Sequence, residues 1–113
     1  ALHGEIEVFC ERHMLPKQSA HDLQLLTEEL ILCFMSDLRE GRAFELTVEY
    51  LEAKRTLGAT LLLPAGVDNP FAENAAEDPE RELSVALIRN LAPGIEEIET
   101  PAGRRIDFAL RSI

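Results

Sequence analysis

The feature that most constrains this chain is a change of hydrophobic period at Gly41. Upstream of it, Leu2, Ile6, Phe9, Cys10 and Met14 form one stripe, and Leu23, Leu26, Leu30, Cys33, Phe34 and Leu38 form a second, longer one. Spacings of three and four stack side chains on one face of a helix, so two amphipathic helices are expected. Pro16 separates them, Ser19 with Asp22 three residues on has the form of a capping box for the second, and Gly41 is placed to stop it. Downstream, Phe44, Leu46, Val48 and Tyr50 alternate with Glu45, Thr47 and Glu49. A period of two with acids in one phase predicts a strand with one wet face.

The remainder continues as sheet with one helix interposed. A turn through Ala53, Lys54 and Arg55 leads into Leu57 to Leu63, which is apolar in both phases and so expected centrally in the sheet. From Pro64 to Arg81 there is no sustained period, and Gly66, Pro70, Pro79 and a cluster of acids predict a long surface loop. Leu83, Ala86, Leu87 and Leu91 predict a third helix, stopped near Pro93 and Gly94. Ile95 to Thr100 and Arg105 to Leu110 read as a closing hairpin around Pro101, Ala102 and Gly103, with Ile106, Phe108 and Leu110 on its buried face. The 113 residues form one domain, 1–113. The expected fold class is α+β: a two-layer sandwich with a mixed or antiparallel sheet of about four strands and three helices on one face.

Charge and composition exclude several function classes. Twenty-one acidic against eleven basic side chains give a net charge of -10, which repels nucleic-acid backbones and anionic lipid. The apolar share of 46% and charged share of 28% are those of a globular domain, and the run around Leu61 to Leu63 is far too short to span a bilayer. With no leader segment evident, a soluble cytoplasmic domain without nucleic-acid or membrane partners is expected. Cys10 and Cys33 both fall in helical patterns, which favours reduced buried thiols. Cys10 and His13, with His3 and His21 nearby in sequence, are weighed as zinc ligands and set aside, because a structural zinc site wants a second ligand pair. The acids between Glu73 and Glu82 suit hydration of a loop better than docking of a basic partner.

Three passages carry a resemblance to a known family: Leu25-Leu26-Thr27-Glu28-Glu29-Leu30-Ile31-Leu32-Cys33 in the second helix; Gly66-Val67-Asp68-Asn69-Pro70-Phe71 after the second strand; and Leu83-Ser84-Val85-Ala86-Leu87-Ile88-Arg89-Asn90-Leu91 followed by Glu97 to Ile106. With the element order, they resemble the histidine-kinase-like (GHKL, Bergerat-fold) ATPases of bacterial signal transduction, in particular the anti-sigma-factor serine kinases, over nearly the whole chain. The resemblance implies a second helix bearing a Glu that activates a hydroxyl or water and, four residues on, an Asn that holds magnesium. Glu29 takes the first position and Cys33 the second. A neutral thiol is a poor ligand for hard magnesium. The neighbouring register through Glu28 puts Leu32 in the Asn position.

The resemblance further implies an Asp at the exit of a central strand to bind the adenine amino group, and a Gly two residues later to let the base approach. Pro64 and Gly66 stand there, and Asp68 would supply a carboxylate only from a shifted loop. Asn69-Pro70-Phe71 is similar to the family's segment that closes over the nucleotide. Where active relatives place glycines at the entry to the third helix, this chain has Arg81, Glu82, Leu83, Ser84 and Val85. The nucleotide-site candidates are therefore Glu29 (also the candidate catalytic base), Cys33, Gly66, Asn69 and Phe71, with no metal site. The expectation is a regulatory or protein-interaction domain, not an enzyme, without a cofactor. Its partner would be a sigma-factor regulator or an attached output domain, and relatives frequently act as homodimers. The alternative is an active ATP- and magnesium-dependent serine/threonine protein kinase or ATPase.

Overall fold

Helices give way to sheet after Gly41 in the computed structural model, which describes residues 2–64, 66–67, 69–71, 79–101 and 103–110, apart from the side chains of residues 2, 3 and 80. The elements are α1 (Leu2–Arg12), α2 (Lys17–Cys33), a short α3 (Met35–Arg39), β1 (Glu45–Leu51), β2 (Thr56–Leu63), α4 (Pro79–Leu91), β3 (Gly94–Thr100) and β4 (Gly103–Ala109), with a 3-10 turn at Glu52–Lys54. The strands form one four-stranded sheet in the order β1-β2-β4-β3, antiparallel throughout. The architecture is the expected two-layer α+β arrangement.

Register explains which strand residues are inside. The partner rows Val48–Ala59–Phe108–Ile95 and Leu46–Leu61–Ile106–Glu97 lie on one face, because directly paired residues point the same way. Leu57, Ala59, Leu61, Ile106 and Phe108 on that face are buried with Leu23, Leu26, Leu30 and Cys33 of α2 and Ile88 of α4. β2 is central, as its sequence suggested. Only its Leu57–Leu63 phase is buried, however, while Thr60 and Leu62 on the other face stay half-exposed. That face carries a polar row in which the Thr60 hydroxyl donates to Asp107 (3.1 Å) and Arg105 pairs with Asp107 (3.1 Å).

Several local expectations are corrected. The capping box is absent: α2 starts at Lys17 with Pro16 in the cap position, and Ser19 and Asp22 are buried inside the helix. Pro in this position suits a helix start, since its fixed φ is already near helical and its missing N–H has no intrahelical partner to lose. The second stripe does not run unbroken to Leu38. Phe34 leaves helical geometry (φ -108°, ψ 19°) and is buried with its ring 5.0 Å from that of Phe44, so α3 is a separate short helix and Leu38 reaches the surface. Gly41 does end the helical region, at φ +87°. In α4 the buried face is Ser84, Ile88 and Leu91, whereas Leu83 is 71% exposed. The apolar pattern there supports two overlapping stripes, and packing of α4 on α2 selects the one through Ile88.

The segment after β2 is not a surface loop where it is described, because Val67, Asn69 and Phe71 are all buried. Asp68 and the acids at 73–78 lie outside the described residues. The closing hairpin is as expected, with Thr100 paired to Gly103 across Pro101 and Ala102. Gly103 holds φ +136°, and a Cβ there would meet the Leu63 carbonyl oxygen at 3.0 Å, so both backbone conformation and space demand glycine.

Candidate functional site

On α2, successive residues turn about 100° around the axis. Asp22, Glu29 and Cys33 therefore share one flank of the buried stripe, and Thr27 and Ile31 share the other. Cys33 is 3% exposed and packed in the core with Leu26 and Leu30, while Glu29 sits half-buried at the margin. The i, i+4 spacing brings the two onto one flank as the sequence predicted, but the thiol is directed into the apolar interior.

The exit of β2 brings Pro64 and Gly66 to the end of the central strand. Gly66 is left-handed, at φ +85°, and a Cβ added to it would lie 3.2 Å from Nη1 of Arg42. The space that glycine leaves thus accommodates a guanidinium from the α3–β1 connection. Arg42 is in turn held by Glu40 (3.5 Å) and Asp37 (3.8 Å). Arg42 escaped the sequence reading because nothing local joins it to Gly66; the contact is made by the ends of neighbouring strands.

Asn69 and Phe71 are committed to holding the segment on the sheet. Asn69 Oδ1 accepts from the Phe71 backbone N–H (2.9 Å), an Asx turn of the kind Asn-Pro favours, and its Nδ2 donates to Glu97 Oε1 on β3 (3.2 Å). Glu97 also pairs with Arg104 (3.6 Å). The Phe71 ring packs edge-on against Phe108 at 5.5 Å, and its carbonyl accepts from Arg89 of α4 (3.3 Å). Glu97 had a sequence signal: it falls two residues after Ile95, in the same phase of its strand, where the alternation would otherwise place an apolar residue. At the entry to α4, Glu82 and Leu83 are exposed and Ser84 is buried.

Cys10 and His13 diverge. Cys10 is buried in the core, whereas the exposed His13 ring packs against Phe9 (4.6 Å) and Tyr50 (5.5 Å). Among the described residues no group of three or more His, Cys, Asp or Glu is placed to hold a metal ion. Both cysteines are buried and outside any disulfide, and burial raises the Cys10 thiol above its ordinary pKa. Since thiolate is the reactive form, modification by a thiol-disulfide reagent at pH 7.5 is expected to run at least about tenfold slower in the native domain than in urea, where both thiols should titrate. Rapid labelling of either cysteine in the native state would contradict this packing.

No helix among the described residues is long and apolar enough to cross a membrane. Comparisons with protein-family models, with curated proteins and with solved structures find no match to this chain.

Proposed function

We propose that this chain is a cytoplasmic regulatory, protein-interaction domain of the histidine-kinase-like ATPase type, close in design to anti-sigma-factor serine kinases, in which nucleotide binding is weakened or lost. The order of long helices and strands on which the resemblance rests is the order of the structure. The observation that carries the reading is the burial of Cys33, 3% exposed, in the position where a magnesium ligand would stand. A thiol in an apolar core is neither hard enough for magnesium nor accessible to it.

Three further features support the same reading. Pro64 brings no carboxylate to the strand exit, and the guanidinium of Arg42 lies against Gly66 where a base would have to approach. The amide of Asn69 is engaged at both ends and Phe71 is part of the core, so this segment is fastened to the sheet. The entry to α4 lacks glycines, and Glu82 adds a negative charge there. A scaffold of this kind acts through what docks on it, a sigma-factor regulator or an attached output domain in relatives.

Isothermal titration with ATP and ADP, with and without magnesium, tests the proposal. No heat at millimolar nucleotide, in the parent domain and in Glu29→Ala alike, is the expected result. Micromolar, magnesium-dependent binding that Glu29→Ala weakens would instead support the active kinase or ATPase.

A further inference from the structure

β1 is an edge strand whose inward side chains are only partly covered. Phe44, Leu46, Val48 and Tyr50 are half-buried, in contrast to the buried Leu57–Leu63 phase of β2 beside them. Above Phe44, Leu46 and Val48 lies a groove of about 500 Å³, walled by Ile6 and Phe9 of α1 and by Leu30 and Ile31 of α2. Ile31 and Leu38 on its rim are 40% and 36% exposed. Thr47 also lines the groove although its side chain belongs to the opposite face of the sheet, so the groove reaches the edge of β1. An apolar trough beside a strand edge that no other described strand pairs is the geometry in which an extended segment adds as a further strand, its main chain bonding the edge and its alternate side chains filling the trough.

Charge selects the occupant. Among the described residues lining the groove, Glu5 is the one ionisable group. Glu45 and Glu49 stand exposed on the outer face of β1, four positions apart. A second copy of this chain would set these same acids along a shared edge between two molecules each of net charge -10. We infer that the groove and β1 edge bind an extended, basic, amphipathic segment of another protein. Apolar side chains lie opposite Leu46 and Val48, and Lys or Arg, spaced by four, lie opposite Glu45 and Glu49. Directly opposed charges and apolar pairs are the unit that fixes such a register.

The inference deepens the interaction reading above and rests on it for its class of partner, so the test keeps the two apart. The folded domain is used to select from a random-peptide display library, and an enriched peptide, fluorescently labelled, is titrated by anisotropy against the parent, Ile31→Lys, and the double variant Glu45→Lys/Glu49→Lys. Expected are enriched sequences with basic residues four apart flanking two apolar positions. Affinity should fall at least about tenfold in Ile31→Lys, as loss of an anchoring contact does, and about fivefold or more in the charge-reversed protein. The substituted side chains are solvent-exposed, so urea midpoints should stay near that of the parent; a variant whose midpoint drops is replaced by Leu38→Lys on the same rim.

No enrichment, enrichment without this pattern, or binding indifferent to Ile31→Lys would overturn the inference. So would a dimer in sedimentation velocity that Ile31→Lys dissociates, since the occupant would then be a second copy. Nucleotide titration of the same preparation separates the proposals. Peptide binding together with magnesium-dependent nucleotide binding overturns the degenerate reading alone, and absence of both overturns the docking surface alone.

Discussion

Replacing Cys33 by Asn is expected to lower the stability of the domain by about 2 kcal/mol without creating magnesium-dependent ATP binding. The substitution installs the residue that the resemblance places at this position, so restoring nucleotide binding is the outcome a sequence alignment alone would suggest. The surroundings argue otherwise. Cys33 is 3% exposed, inside a cluster with Leu26, Leu30 and Ile88. A thiol there makes weak hydrogen-bonding demands, whereas a carboxamide brings two N–H donors and a carbonyl oxygen that all need partners. Leaving such groups unsatisfied in an apolar core costs about 1–3 kcal/mol, and the larger side chain adds some strain. Urea denaturation of parent and variant gives the stability difference, and calorimetric titration with ATP and magnesium tests the second half. A variant that gained nucleotide binding with little loss of stability would show that this flank of α2 opens to a ligand, and it would reverse the proposed loss of function.

Phe108→Ala is expected to cost more, about 4 kcal/mol, within the range found when a large core aromatic is truncated. Phe108 is 2% exposed on β4, an interior strand, where it is paired with Ala59 of β2 on one side and Ile95 of β3 on the other. The small Ala59 leaves room that the ring fills, and Phe71 packs edge-on against it. Truncation would therefore open a cavity bordered by two strands and also loosen the 66–71 segment, whose aromatic anchor is Phe71. Because a small domain holds only about 5–15 kcal/mol of stability in total, this change should bring the chain close to unfolding at 37 °C. Val48→Ala serves as the comparison. It sits half-buried at the open groove on an edge strand, and about 1 kcal/mol is expected. Equal losses at the two positions, measured by urea denaturation, would mean that the groove is closed in solution.

These predictions bear on how much of the site could be read from sequence. The pairing of Glu29 and Cys33 on one helix flank follows from a spacing of four and needed no coordinates. That Cys33 is buried depends on the core it joins with strand residues and Ile88 of α4, contributed by segments far along the chain. The stretch holding Asn69 and Phe71 read as surface loop for want of a period, whereas an Asx turn forms there and both residues are buried through Glu97, Arg89 and Phe108, contributed by three other elements. The same limit explains the errors in the helices. Phe34 fits the continuing stripe of α2 on periodicity, yet the ring's place against Phe44 breaks the helix there. Leu83 and Ile88 compete as the buried face of α4 with nothing local to decide between them.

By itself, the sequence determined the order and type of the main elements, the single sheet with one helical layer, the glycines at 41 and 103, and the placing of Cys33 four residues after Glu29 on one helix. Each of these is carried by the period or backbone freedom of one short segment, which acts before any distant contact forms. The tertiary structure alone decided the strand order β1-β2-β4-β3, the side of each helix that is covered, the filling of the Gly66 space by Arg42, and the open groove along β1. Those features depend on which surfaces remain after every element has buried what it can against its neighbours, and that balance is a property of the whole chain.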